Sequence, residues 1–315
     1  MIEITLENLR EAQAGLVGVG ERTPLLRLPF EGLAGEVRLK AEQLQPIGAF
    51  KIRGAWTALR RLSDDARRRG VVTSSSGNHG LGIAFAAKRL GIRAVVVMPE
   101  SAAGVKIEGV RRLGAEVVLV GKTRGPEQQA AAERFVAEES LTMIPPYDHP
   151  DVIAGQGTVG LEILDQWPEV GTIIVPIGGG GLLAGICCAV RATGAQVTVI
   201  AAEPAGIPKL SAAIAAGGPS TLAGGASLAD GLLTKSVGKL TWPLIRDTVR
   251  DVAPVTDDQI RAAVRWLHTA GLRVEPSGAV TTAAILAGVY VVTGPTVVVC
   301  SGGNVDPKRF EELIV

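Results

Sequence analysis

The chain is poor in several features, and each shortage narrows what it can be. It has three cysteines, Cys187, Cys188 and Cys300, all in apolar runs and none in C-x-x-C spacing. Neither a disulfide framework nor a thiolate metal site is therefore expected, and the three read as buried small hydrophobes. The formal net charge is only +1, so the one-sided charge that would draw nucleic acid or an anionic membrane surface is lacking. No stretch of about 18 apolar residues runs free of charge, so no membrane span is expected. Met1 to Arg10 alternates acids with apolar residues and has no basic start, unlike a secretory signal, and a cytoplasmic protein is expected. No Pro/Ser-rich or charged linker divides the chain, and no repeat of solenoid length occurs.

What is present belongs to a folded chain. Hydrophobic residues make up 47% and charged residues 20% of 315 residues, a length that suggests about two domains. Short Val/Ile-rich runs alternate with Ala-rich amphipathic segments. Strands are expected at 70–73, 94–98, 117–120, 172–177, 197–202 and 296–300, and helices at 80–90, 106–113, 126–139, 182–193 and 257–270, the last capped by Thr256. Continuously apolar strands are covered on both faces, so this alternation predicts α/β architecture with parallel sheets. The Gly217–Gly231 stretch reads as a surface connection near a site.

Three of the strands run into loops of small residues: Ser74-Ser75-Ser76-Gly77-Asn78-His79-Gly80, Gly178-Gly179-Gly180-Gly181-Leu182 and Ser301-Gly302-Gly303-Asn304. Such loops gather at the carboxyl ends of parallel strands, where ligands bind. Glycine lets backbone N–H groups approach an anion, and a following helix adds its positive end. Four glycines in succession fit a phosphate cradle better than a simple tight turn. A rival reading uses the same loop: Gly179-x-Gly181-x-x-Ala184 fits a dinucleotide fingerprint, with Glu203 following 24 positions after Gly179. Lys51 stands in Gly48-Ala49-Phe50-Lys51-Ile52-Arg53-Gly54 among apolar neighbours. Loss of water there would lower its pKa and make it a nucleophile of the Schiff-base kind. An amine together with an anion cradle suits an aldehyde cofactor that carries a phosphate.

As a set, these segments resemble the fold-type II pyridoxal-phosphate enzymes (tryptophan synthase β-like), in the threonine dehydratase and serine racemase branch. The segment 49–55 is similar to that family's lysine motif, with Ala49 where Ser is usual. Ser75–Gly80 resembles its substrate loop and Gly178–Gly181 its phosphate loop, while Glu275–Ala279 and Ser301–Asn304 match two further segments. Ile52 and His79 favour this branch over cysteine synthases.

The resemblance implies pyridoxal 5'-phosphate as cofactor, with Lys51 as Schiff-base lysine and Cα base. It further implies cofactor contacts from Phe50, Asn78, Gly178, Gly179, Gly180, Gly181, Leu182, Glu275 and Ser301, the last at the pyridine nitrogen, where a neutral hydroxyl favours β-elimination over transamination. Ser75, Gly77, Asn78, His79 and Arg124 would hold the substrate, and Ser76 would act on the face opposite Lys51. The activity implied is conversion of L-threonine to 2-oxobutanoate and of L-serine to pyruvate, each with ammonia. Serine racemisation is the alternative, and a dinucleotide-binding oxidoreductase a remoter one. The expected organisation is a small domain at 40–142 and a large one formed by 1–39 and 143–315, assembled as a homodimer or homotetramer. No metal is expected: serine racemases often hold a divalent cation on an acid matched by Glu203, but Lys209 stands where a second acid would be needed. Isoleucine control is not expected either, because the chain ends at Val315.

Overall fold

The computed structural model describes residues 3–123 and 125–315. The chain runs α1 (Leu6–Gly15), β1 (Leu25–Arg27), β2 (Val37–Ala41), α2 (Lys51–Arg60), α3 (Asp64–Arg69), β3 (Val71–Ser74), α4 (Asn78–Leu90) and β4 (Ala94–Met98). Next come α5 (Gly104–Arg112), β5 (Glu116–Leu119), α6 (Pro126–Glu139), β6 (Thr142–Met143), α7 (Pro150–Gln166), β7 (Thr172–Pro176), α8 (Gly181–Thr193) and β8 (Thr198–Pro204). The remainder is α9 (Lys209–Ala216), α10 (Trp242–Ile245), β9 (Val249–Val255), α11 (Asp257–Thr269), α12 (Pro276–Leu286), β10 (Thr296–Cys300) and α13 (Pro307–Ile314).

Two sheets result. One has the order β1-β2-β10-β7-β8-β9 and is parallel except for the β1–β2 pair. The other has the order β5-β4-β3-β6 and is parallel throughout. The apolar strands work as expected for sheets covered on both faces. Side chains alternate between faces along a strand, and here successive residues enter different cores. Ile173, Val175, Val199, Val297 and Val299 pack into one core of the larger sheet. Ile174, Ile200, Ala202, Val298 and Cys300 pack into the other. In the smaller sheet, Val71, Ala94, Val96 and Met98 face one core, and Val72, Val95 and Val97 the opposite one.

The elements expected from sequence are all found, with ends displaced by no more than two residues, and Thr256 caps α11 as expected. Other elements carry no clear local signal in the sequence. Helix α7 is buried along most of its length, so it lacks the polar face that makes a helix recognisable. Its glycines allow backbone-to-backbone packing: a Cβ on Gly157 would lie 2.8 Å from Gly185 O of α8, and one on Gly155 would lie 2.6 Å from Gly54 Cα of α2. Strand β2 carries Lys40, which is fully buried, and β9 carries Pro254 at the sheet edge, where a missing N–H is tolerated. Among the described residues no helix is long and apolar enough to cross a membrane.

Candidate active site

The loops after β3, β7 and β10 meet at the carboxyl ends of their strands around one cleft, which encloses about 840 Å³ of empty space with the solvent at its mouth included. The cleft is lined by Phe50, Lys51, Ser75, Ser76, Gly77, Asn78, His79, Gly178 to Gly181, Leu182, Glu275 and Ser301. Every described candidate residue is thus brought to a single wall system. Arg124 lies outside the described residues.

Lys51 is the first residue of α2, and its Nζ donates to Pro146 O at 2.5 Å, 5.1 Å from the Phe50 ring centre. A buried charge cluster holds this end of α2. Arg53 is clamped by Glu42 (Nε–Oε2 2.7 Å, Nη2–Oε1 2.8 Å) and by Glu162 (Nη1–Oε1 2.6 Å, Nη2–Oε2 2.9 Å). Lys40 Nζ adds a 2.6 Å bond to Glu162 Oε2. Burial raises the Glu42 pKa, but Arg53 outweighs it and holds the carboxyl below its ordinary range. For Lys40 burial prevails over Glu42 and Glu162, and its pKa is lowered.

The glycine loop is built tightly. A Cβ at Gly179 would collide with the ring of Tyr147, one at Gly181 would lie 3.0 Å from Tyr147 Cβ, and one at Gly180, where φ is +99°, 2.8 Å from Thr241 Oγ1. Thr241 Oγ1 donates to Gly179 O at 2.8 Å, and Gly238 N donates to the same oxygen at 3.0 Å. Asp148 in turn accepts from the amides of Lys239, Leu240 and Thr241 at 3.0, 2.8 and 3.2 Å. No side chain caps the start of α8, so its first N–H groups suit an anion. Glu203, the acid of the dinucleotide fingerprint, is buried and accepts from Leu210 N, Ser211 N and Ser211 Oγ at 2.9, 3.0 and 2.6 Å. That leaves its carboxylate anchoring α9 instead of facing a ribose. Lys209, also buried, donates to Ile177 O at 3.1 Å just before the glycine loop, and burial, opposed by Glu203, lowers its pKa to about 8.

In the Ser75–His79 loop, Ser75 Oγ accepts from Gly77 N at 3.3 Å and Gly80 N at 3.0 Å, shaping the turn into α4. His79 is buried and its Nε2–H donates to Ile144 O at 3.1 Å. Burial above all, with the Lys51 charge second, pushes its pKa down to about 3. The imidazole is therefore neutral, and its contribution to the loop is not a charge. Asn78 Nδ2 donates to Glu275 Oε1 at 2.5 Å, and its Oδ1 accepts from Asn304 Nδ2 at 3.0 Å. Ser301 Oγ donates to Ser277 O over a long 3.4 Å.

Several wall residues were not foreseen: Lys106, Pro146, Tyr147, Asp230 and Ser277. Lys106 sits in an amphipathic helix, where a lysine reads as part of the solvated face. The stretch containing Asp230 was legible only as a loop near a site, and it does end in the cleft. The three thiols are buried, and burial raises the pKa of each, as for small core hydrophobes.

The residues present suit a phosphorylated aldehyde. The glycine loop leaves no room for a side chain where an anion would sit, the helix behind it is uncapped, and an amine stands on the same cleft wall. Comparison with known proteins agrees. A family model described as "pyridoxal-phosphate dependent enzyme" matches residues 17–303. L-threonine ammonia-lyase of Thermotoga maritima is 39% identical over 314 residues, 99% of this chain and 78% of that protein. Maize serine racemase superposes with a TM-score of 0.93 at 36% identity, covering 99% of this chain and 97% of the other. The T.th. threonine deaminase gives 0.90 at 37% identity, covering 96% and 99%.

Proposed function

Because the chain belongs to the pyridoxal-phosphate dependent enzymes, in the fold-type II group, we propose that it is a threonine and serine ammonia-lyase. It takes L-threonine to 2-oxobutanoate and ammonia, and L-serine to pyruvate and ammonia. The observation that carries this reading is the meeting of Lys51, the Gly178–Gly181 cradle and the Ser75–His79 loop in one cleft. The likeness to threonine ammonia-lyase and threonine deaminase supports the choice of substrate.

Pyridoxal phosphate, when bound, supplies an electron sink for the bond pair of the substrate's Cα–H. The backbone N–H groups of Gly178 to Leu182 would hold its phosphate at the positive end of α8, and Phe50, Asn78, Glu275 and Ser301 would contact the rest. The 75–79 loop, at the start of α4, offers backbone donors to the substrate carboxylate, and the neutral His79 ring braces that loop through Ile144. Lys51 Nζ takes the Cα proton. The β-hydroxyl leaves as water, and a water molecule is consumed when ammonia is released, so the net change is one amino acid to one oxo acid plus ammonia.

Part of the same proposal is that 40–142 moves as a small unit against 1–39 and 143–315, closing the cleft and excluding water. A cytoplasmic homodimer or homotetramer belongs to it too. Serine racemisation is a second reading, favoured by Ser76 on the cleft wall and by the likeness to maize serine racemase.

The test follows oxo-acid release and product chirality together on L-threonine, L-serine and D-serine. Ammonia release from L-threonine that outpaces racemisation supports the lyase, and the reverse order replaces it with the racemase. Hydride trapping followed by mass spectrometry should find a pyridoxyl adduct on the Lys51 peptide, and its absence refutes Lys51 as the attachment point.

A further inference from the structure

The cleft also holds a buried cation, Lys106, that no step above uses. Lys106 of α5 is buried, with Nζ 2.7 Å from Asp230 Oδ2 and 3.4 Å from Glu275 Oε2. Glu275, at the N-cap of α12, is buried as well, and apart from that ion pair its Oε2 has no hydrogen-bond partner among the described residues. Its Oε1 receives Asn78 Nδ2 at 2.5 Å. On the far side Asn304 Nδ2 donates both to Ile47 O at 2.7 Å and to Asn78 Oδ1 at 3.0 Å.

These contacts dictate which way the Asn78 amide faces. Asn304 uses both N–H bonds of its amide as donors, so the atom of Asn78 that meets it must be the oxygen. The nitrogen then faces Glu275, and a carboxylate there accepts one of its two N–H bonds. A reversed Asn78 would set oxygen against carboxylate and nitrogen against donor. One N–H of Asn78 remains for the cleft.

We propose that Lys106 is a positioning residue for Asn78: its buried ammonium keeps Glu275 a carboxylate, and that carboxylate holds Asn78 with an N–H turned toward the cofactor. The inference rests on the pyridoxal-phosphate reading for what that N–H meets. Burial, with the Asp230 charge adding to it, holds the Glu275 pKa above its ordinary value, and the Lys106 charge is the first influence limiting that rise. Burial likewise disfavours the Lys106 ammonium, but Glu275 and Asp230 outweigh it and raise its pKa. Without the ammonium, Glu275 would be a carboxylate buried with no cation, and such a group takes up a proton instead. A protonated Glu275 can donate to a reversed Asn78, so the amide loses its fixed direction.

Charge matching provides the test. The holoenzyme is prepared as wild type, Lys106→Met, Glu275→Gln and the double variant Lys106→Met/Glu275→Gln. A glutamine at 275 accepts from Asn78 without needing a cation. Lys106→Met should lower the melting temperature by roughly 5 °C and redistribute the cofactor's visible absorption bands. The double variant should regain at least half of both changes, in the melting curve of cofactor-free protein as well. If Lys106→Met yields no folded protein, the double variant must still fold. Losses that simply add, or a double variant that fails to fold, overturn the proposal and leave Lys106 as packing. Because the cofactor-free melting comparison needs no bound aldehyde, a failure of the pyridoxal-phosphate reading would appear as a missing visible band in the wild type and is separable from a failure here.

Discussion

Replacing Arg53 by methionine tests whether the buried charges beneath α2 act as a unit. The guanidinium is held by four bonds of 2.6 to 2.9 Å to two buried carboxylates. Methionine fills much of the volume but, among the described residues, leaves Glu42 with no cation in contact and Glu162 with Lys40 alone. Removing one partner of a buried pair costs about 3–5 kcal/mol, because the other charge is left uncompensated. At about 2.1 cal/mol/K per residue, 315 residues unfold with an entropy of about 0.66 kcal/mol/K, so the loss corresponds to about 5–8 °C in Tm. The pH dependence identifies the cause. In the wild type Glu42 titrates below its ordinary range, so its contribution is present above the unfolded carboxyl pKa of about 4.3 and is lost as pH falls through the lower folded value. In the variant burial acts unopposed by Arg53 and raises that pKa, so the deficit should be largest near pH 7.5 and narrow toward pH 4. Calorimetric melting at both pH values measures it. A deficit of the same size at the two pH values, or one under about 1 °C, would refute the charge argument. Because α2 begins at Lys51, kcat should fall in the same variant.

Gly179→Ala should abolish cofactor retention on gel filtration, since its Cβ would collide with the Tyr147 ring; a yellow, fully loaded variant would show that the loop can give way. Lys209 titrates at about 8 when folded against about 10.4 unfolded. Its charge therefore opposes folding below about pH 8, and that penalty is relieved as pH rises toward the unfolded value. Lys209→Met should accordingly be more stable than wild type at pH 7 by about 1–3 kcal/mol, an advantage that fades by pH 10 in chemical denaturation, and a constant difference would contradict it. Ser301→Asp places an acid where a neutral hydroxyl stood and should shift the ratio of oxo acid to side products while the cofactor still binds; an unchanged ratio counts against the role given to that hydroxyl.

The strands and the glycine loops were legible because their signals are local. Val95-Val96-Val97 reads as a strand covered on both faces, and four glycines before an apolar helix point to a candidate anion site. Lys106 and Asp230 were not legible. They stand 124 positions apart, and each alone looks like a solvated charge. His79 was legible as part of the loop but not as a neutral strut, because its partner Ile144 O comes from a segment 65 positions away.

Periodicity and short motifs therefore determined the α/β class, the parallel sheets, the candidate attachment lysine and the candidate anion cradle, since each follows from the chemistry of neighbouring residues. The tertiary structure alone decided which charges are buried, which carboxylate faces which cation, and which way an amide such as that of Asn78 points. Those depend on desolvation and on contacts between distant segments, and neither is written in the order of residues along the chain.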